Sequence, residues 1–332
     1  MVATLLPGRT TDQQVHHLFA AHPFDQPLPE HRVTPVGEFY VQSYASPPAV
    51  TIDQWHLQLT GLVNQPLTLT YTDILAAPQS NFYLTMECIG NPTGGRLIGN
   101  ALWTGTPLLP FLKQAGVQDA AVEFMLHAAD AYETTLPVTD LMQPDIQLVH
   151  RMNGEPLTKS HGFPLRIIIP GRYGQKQPKW LMEIEAIANP KQGYWERQGW
   201  SNTATIATHA ITQKVQGKKV WHKNHQIDLP RTGERGWQQG VTLAGVALDQ
   251  DQPIQWIKVS TDQGQTWKRA EINQPSSPHE WTLWRYLWQP IQPGRYQLLA
   301  QARSQTETQK IVDPNTKDGR AGILKIEVNL QA

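Results

Sequence analysis

A β-rich α+β fold in two domains is what this sequence predicts: a mixed domain over residues 1–205 and an immunoglobulin-like β-sandwich over residues 206–332. Three observations lead there. The chain of 332 residues is about twice a typical domain. Apolar residues alternate with polar ones at period two in several segments, the spacing of half-buried strands, while helical patterns are few. Beyond about residue 216, short apolar runs separated by turns follow one another, as in a sandwich of about a hundred residues.

Along the chain, residues 1 to about 50 carry Pro7, Pro23, Pro27, Pro29, Pro35, Pro47 and Pro48, which predicts an extended arm laid over a core. Trp55-His56-Leu57-Gln58-Leu59-Thr60 alternates as a strand. Thr106 followed by Pro107, then Leu108, Leu109, Phe111, Leu112 and Ala115 with Gly116 behind them, predicts a helix with its cap, its first-position proline and its terminal glycine. A shorter helix is expected to start at Thr139-Asp140, and the polar stretch Asn202 to Gln216 reads as a linker. In the tail, Val241, Leu243 and Val246, then Ile254, Trp256 and Val259, flank the next strands, with a hairpin turn at Asp262-Gln263-Gly264-Gln265. Trp267, Trp281, Leu283, Tyr296, Leu298 and Ala300 follow.

Composition removes several function classes. The 28 Lys and Arg balance 28 Asp and Glu, so no net basic field draws the chain to nucleic acid or an anionic membrane. One cysteine forms no intrachain disulfide, and no C-x-x-C or H-E-x-x-H signals an ordinary zinc site. Ile167-Ile168-Ile169 is typical of the longest apolar runs, far short of a membrane span, and Pro7, Asp12, His16, His17 and His22 interrupt any export signal. A cytoplasmic protein is the expectation.

Cys88 ends the run Phe82-Tyr83-Leu84-Thr85-Met86-Glu87 and opens a turn with four glycines between residues 90 and 99. Such a turn lets a ligand approach the backbone, and a thiolate there is a nucleophile or a soft metal ligand. The alternative is a small buried hydrophobe. Between Glu155 and Glu183 stand Lys159, Arg166, Arg172, Lys176 and Lys179 with no acid among them, the outline of an anion site. Arg166 sits within an apolar strand and requires a carboxylate or phosphate partner. A solvated basic loop is the competing reading. Tyr132 and Trp200 are aromatic candidates, with core packing as the alternative.

These segments together resemble the sulfite oxidase family of molybdenum-cofactor enzymes. The resemblance rests on Phe39-Tyr40-Val41, Cys88-Ile89-Gly90-Asn91, Leu97 through Gly105, Tyr132 through Pro137, Met152 through Leu157, His161 through Trp180, and the β-rich tail. It implies a sulfite-oxidase-type domain binding molybdenum-molybdopterin, a pyranopterin dithiolene, with Cys88 as the protein thiolate on the metal. It further implies His161, Arg166 and Lys179 at the cofactor phosphate with the Arg172, Gln175 and Lys176 loop close by, Phe39, Tyr40, Asp130 and Tyr132 around the cofactor, and Trp103 and Trp200 on the substrate face. The tail implies a homodimer. Where the family carries substrate arginines, this chain has Gln42 and Thr93, and where it carries a tyrosine, Trp200. Arg96 and Arg285 are the candidates to replace them. A neutral S- or N-oxide is therefore expected over sulfite as the small-molecule substrate. No haem-attachment motif is present, so a separate electron-transfer partner is expected.

Overall fold

The computed structural model describes residues 28, 31–233, 235–313 and 315–332. Most of the proline-rich arm, with Pro7, Pro23, Pro27 and Pro29, lies outside the described residues. Within them, Thr34 and Asn153 tie the start of the chain down: Thr34 N–H donates to the Asn100 carbonyl at 2.7 Å and Asn153 Nδ2 to the Thr34 carbonyl at 2.9 Å.

The strands form four sheets, two in each half of the chain. The first joins β1 (His56–Gly61), β2 (Leu67–Thr70), β5 (Glu123–Ala128), β6 (Glu133–Pro137) and β10 (Leu181–Ile187) in the order β2-β1-β10-β5-β6, with β1 and β10 parallel. The second joins β3 (Ser80–Glu87), β4 (Ile98–Pro107), β7 (Gln147–Met152) and β8 (Glu155–Pro156), and β9 (Arg166–Ile168) pairs with β7. Among the described residues, four short α-helices decorate them: α1 (Tyr71–Ala76), α2 (Leu109–Ala115), α3 (Val138–Leu141) and α4 (Tyr194–Arg197). The strand expected at Trp55–Thr60 is β1. The helix expected from Thr106 begins later, because Thr106 and Pro107 pair with Leu148 and Gln147 in the sheet; Leu108 takes the cap, and Gly116 ends the helix at φ +67° as expected.

In the second half, β11 (His209–Val215), β12 (Lys218–Lys219), β14 (Val241–Leu248), β17 (Glu271–Ile272) and β18 (Thr282–Trp288) form one sheet. It faces a sheet of β13 (Gln226–Leu229), β15 (Trp256–Ser260), β16 (Lys268–Arg269), β19 (Gly294–Arg303) and β20 (Ile326–Leu330). Both contribute to one core, with Val215, Leu243 and Trp284 from the former meeting Ile257, Leu298 and Val328 from the latter. The expected linker is corrected here: residues 209–215 are a strand, buried at His209, Ala210, Ile211, Thr212 and Val215. The expected hairpin turn is present between β15 and β16, with positive φ at Gln263 and Gly264.

The β11-β14-β18 layer is apolar on both faces, and that decides how the two halves meet. On one face Leu243, Trp284 and Trp288 fill the sandwich core. On the other, Ile211, Val246, Leu248 and Leu283 pack with Ile89, Ile98, Tyr173 and Ile206. Side chains two residues apart share a face, so the same strand serves both cores.

Candidate active site

The alternation of β3 positions the cysteine. Leu84 and Met86 face the core that contains Phe39, Trp103 and Ile168, while Thr85 and Glu87 face the second half of the chain. Cys88, one step beyond the strand, falls on the same side as Met86 and lines a pocket with it. The turn behind is fixed by three bonds: Cys88 N–H to the Leu97 carbonyl at 2.9 Å, Asn91 N–H to the Cys88 carbonyl at 2.8 Å, and Leu97 N–H to Asn91 Oδ1 at 2.9 Å. At Gly90 the turn passes the Trp200 ring and Cys88 Sγ, which a Cβ would meet in ordinary contact at 3.7 and 3.8 Å.

Burial pushes the Cys88 thiol up; the Gly90 N–H opposes it and the Glu87 charge adds to it. Among the described residues, no histidine or other cation lowers the thiol towards a nucleophilic thiolate. His127 faces Glu185 and His150 bonds Gln79, both away from the pocket. Among the described residues, no three His, Cys, Asp or Glu side chains gather as metal ligands. Cys88 can therefore hold a metal only if a cofactor brings the remaining ligands.

β9 explains how an arginine sits in an apolar strand. Ile167 faces the first core and Arg166 and Ile168 the other side, where the Arg166 guanidinium lies 5.5 Å over the Trp103 ring and lines the pocket. It donates to the carbonyls of His161 at 3.2 Å and Gln177 at 3.3 Å, and its Nε has no partner. Among the described residues, no carboxylate pairs with it. Burial brings this guanidinium down to about 10. Beside it, Lys179 Nζ donates to Ser43 Oγ at 2.6 Å and the Ser160 carbonyl at 2.9 Å; burial and the Arg166 charge lower it to about 7, against the pull of Asp130. His161 completes the set: Nδ1 meets Thr158 Oγ1 at 2.8 Å and Nε2 is buried without a partner. Burial and Arg166 lower its imidazole. Two buried side chains, His161 and Arg166, and the half-buried Lys179 thus converge, with His161 Nε2 and Arg166 Nε left without partners, an arrangement that an anion satisfies.

The two ends meet across Tyr40, which is raised by burial and acted on by both Cys88 and Arg166. Phe39 stacks on it at 5.5 Å and closes on His161 at 5.8 Å. Gly99 admits that ring, as a Cβ there would lie 2.7 Å from it. Asp130, Tyr132 and Gln175 also line the pocket; Tyr132 Oη donates to the Gln175 carbonyl at 2.6 Å, and Gln175 Nε2 to the Ser201 carbonyl at 3.0 Å. Gln175 Oε1 is a third unused polar atom.

Five expected residues are elsewhere. Trp103 is wholly buried, donating to the Leu84 carbonyl at 3.0 Å beneath the pocket rather than lining it. Arg172 is held by Asp140, the Thr203 carbonyl and Thr205. Lys176 forms a buried ion pair with Glu196 and also reaches Thr134 and Thr135, pinning α4 to the turn that carries Gln175. Arg285 makes a two-pronged pair with Glu271 on the neighbouring strand, at 2.8 and 2.7 Å. Arg96 lies 4.1 Å over Trp221. Of the five cations in the acid-free window, only Arg166 and Lys179 line the pocket; Lys159 is exposed. Thr93 bonds Asp313 outside it, whereas Gln42 and Trp200 are on its wall.

Sequence reasoning missed Ser43, Ser160 and Trp195, and it missed His209. Burial lowers His209, but the buried Glu87 carboxylate, 3.1 Å away, outweighs it and holds the imidazole up at about 9. Because the folded-state value stands above the unfolded one near 6.5, the stabilisation is complete below pH 6.5 and is lost as pH rises to 9, by as much as about 3 kcal/mol. Urea midpoints at pH 6 and pH 9 should show that loss, and His209→Gln should flatten it.

A half-buried thiol at one end, cation-forming side chains at the other and a wall of rings between them suit a redox enzyme built around an anionic organic cofactor that carries a metal. The family model described as "Oxidoreductase molybdopterin binding domain" matches residues 44–195. The chain is 36% identical over 147 residues to the uncharacterized oxidoreductase YuiH of Bacillus subtilis, covering 44% of this chain and 72% of that protein. It is 27% identical over 314 residues to human mitochondrial sulfite oxidase, covering 84% of this chain and 57% of that one. The crystal structure of the sulfane dehydrogenase SoxCD from Paracoccus pantotrophus shares the fold, with a TM-score of 0.74 at 18% identity over 98% of this chain and 94% of that one. The chain belongs to the sulfite-oxidase family of molybdopterin-dependent oxidoreductases, and its cofactor is molybdenum-molybdopterin. It spans 35% of the length of the first plant nitrate reductase it matches and 57% of the human sulfite oxidase.

Proposed function

We propose that this protein catalyses two-electron oxygen-atom transfer on a small neutral S- or N-oxide. The observation that carries the reading is the division of the pocket: its cation-forming side chains, His161, Arg166 and Lys179, gather at the end that an anionic cofactor satisfies, and its remaining wall presents Gln42, Tyr44, Trp195 and Trp200. The unused donors at His161 Nε2 and Arg166 Nε fit the cofactor phosphate, and Cys88 fits the metal. When bound, the cofactor supplies a metal that exchanges two electrons and an oxygen atom with substrate. The protein's own groups position it: Arg166, Lys179 and His161 bind the phosphate, Phe39, Tyr40 and Tyr132 enclose the organic rings, and Trp195 and Trp200 exclude water from the substrate side.

Sulfite would bring its charge to a wall without a free cation, and its desolvation would go uncompensated. Protein purified from molybdate-replete cells should contain molybdenum, and with reduced methyl viologen it should turn over dimethyl sulfoxide or trimethylamine N-oxide. For these, kcat/KM should exceed that for sulfite oxidation, read with ferricyanide as electron acceptor, by about tenfold or more, the effect of roughly one unpaired charge contact. Molybdenum-free protein, or a preference for sulfite, would overturn the reading.

We also infer that residues 1–205 and 206–332 form separate domains, that the second is immunoglobulin-like and joins two copies as a homodimer, that the site is cytoplasmic, and that electrons come from a separate carrier. The support is the doubly apolar β11-β14-β18 layer that parts two cores, and the two-sheet architecture.

A further inference from the structure

The turn that carries Cys88 has a second, outward face. Leu97, whose carbonyl accepts the Cys88 N–H at 2.9 Å, lines the pocket, and the residue before it, Arg96, is exposed. Its guanidinium lies 4.1 Å over the ring of Trp221, which comes from the second half of the chain. Trp221 meets His222 edge-on at 5.5 Å, and His222 N–H donates to the Gly94 carbonyl at 3.1 Å, so this loop is tied to the cysteine turn. Lys223 and Arg320 are both exposed beside it. Leu324 lies against Gly94, where a Cβ would come within 2.5 Å of it, and the exposed Lys325 follows. The acid that faces this group is Asp313, engaged by Thr93 Oγ1 at 3.3 Å and the Ala321 N–H at 2.6 Å.

The field of this surface is visible in His222, whose imidazole is lowered by burial and then by Lys223, Arg96, His225 and Arg320. In a chain whose charges cancel overall, such a concentration is a local feature of the face nearest Cys88. Arg96, Lys223 and Arg320 are directed to solvent, and none lines the pocket, so no ligand of that site accounts for them.

We propose that the surface formed by Arg96, Trp221, Lys223 and Arg320 docks an acidic one-electron redox protein. The proposal rests on the oxygen-atom-transfer reading, which requires electrons from outside the chain. For each S-oxide reduced, two molecules of reduced carrier are oxidised, one electron each; the substrate takes up those two electrons with two protons and leaves as sulfide and water. Charge complementarity at such a surface acts mainly on the rate of encounter and is screened by salt. The stacked Arg96 presents its charge in a fixed place, close in covalent and hydrogen-bond connection to the cysteine.

The test uses the holoenzyme and an acidic plant-type [2Fe–2S] ferredoxin as probe. In R96E/K223E, ferredoxin affinity at low ionic strength should fall by about tenfold or more, and the dependence of affinity on salt should shrink. S-oxide reduction driven by reduced ferredoxin should lose kcat/KM in the same proportion, while the rate with reduced methyl viologen stays within about twofold. K223E/R320E, which leaves the stacked Arg96 in place, should show a smaller loss of the same kind. Unchanged ferredoxin affinity and salt dependence in R96E/K223E would overturn the proposal, as would a parallel loss with viologen, which would put these residues in the site itself. If the parent enzyme reduced no S-oxide with viologen, the functional reading would fall, and the binding measurement would still decide the docking surface.

Discussion

Arg166→Met is expected to yield a folded protein that no longer retains its cofactor. The guanidinium is buried, its Nε is unused, and among the described residues no carboxylate answers its charge, so on the proposed reading its partner is an anion that enters the pocket. Truncating one member of a buried charge pair costs about 2–5 kcal/mol, between roughly thirty-fold and several thousand-fold in affinity. Stability should hold, because the change strands no buried acid. Lys176→Met makes the contrast. There the loss leaves Glu196 buried and uncompensated, and the fold should weaken by about 3–5 kcal/mol. Molybdenum content and melting temperature, measured on both variants, separate the cation that serves the cofactor from the one that serves the fold. A metal-replete Arg166→Met protein would remove the phosphate assignment.

That contrast shows what was legible in the sequence and what was not. The strands at β1 and β14, the hairpin after β15 and the placement of Cys88 at the end of a strand followed from period-two patterns and turn residues, which are local. The acid-free window was visible too, yet it could not be divided, because the acids that claim Arg172 and Lys176 are Asp140 and Glu196, outside the window and brought in by the fold. Trp103 has the same polar edge and rings as Trp200, and only the register of β4 against β3 turns it beneath the pocket. His209 was lost because its polar neighbours Thr208 and Thr212 made a buried strand look like a linker; the buried layer satisfies them through Asp249, Glu87 and the sheet. The family resemblance supplied the roles of Cys88, His161 and Lys179, which spacing alone left open.

Cys88→Ser should separate binding from turnover. The cationic recess is untouched by this change, so the protein should still carry its cofactor, in contrast to Arg166→Met. A serine hydroxyl is a harder donor than a thiol and stays protonated at neutral pH, and burial, which already pushes the native thiol up, disfavours its ionised form further. Groups that merely orient a metal ligand cost about 10–100-fold when removed, so replacing the ligand itself should cost at least about 100-fold in kcat. The electron paramagnetic resonance spectrum of the partly reduced holoenzyme should shift at the same time, since on the proposed reading the sulfur is the protein's own contribution to the metal's electronic environment. A readout independent of the metal is also at hand: this is the chain's one cysteine, so thiol labelling reports on it alone. Cofactor-free parent protein should react slowly with iodoacetamide at pH 7 because burial keeps the thiol protonated, and cofactor-loaded protein should not react. Labelling at equal rates in both states, with an unaltered spectrum in Cys88→Ser, would show that the sulfur does not touch the metal.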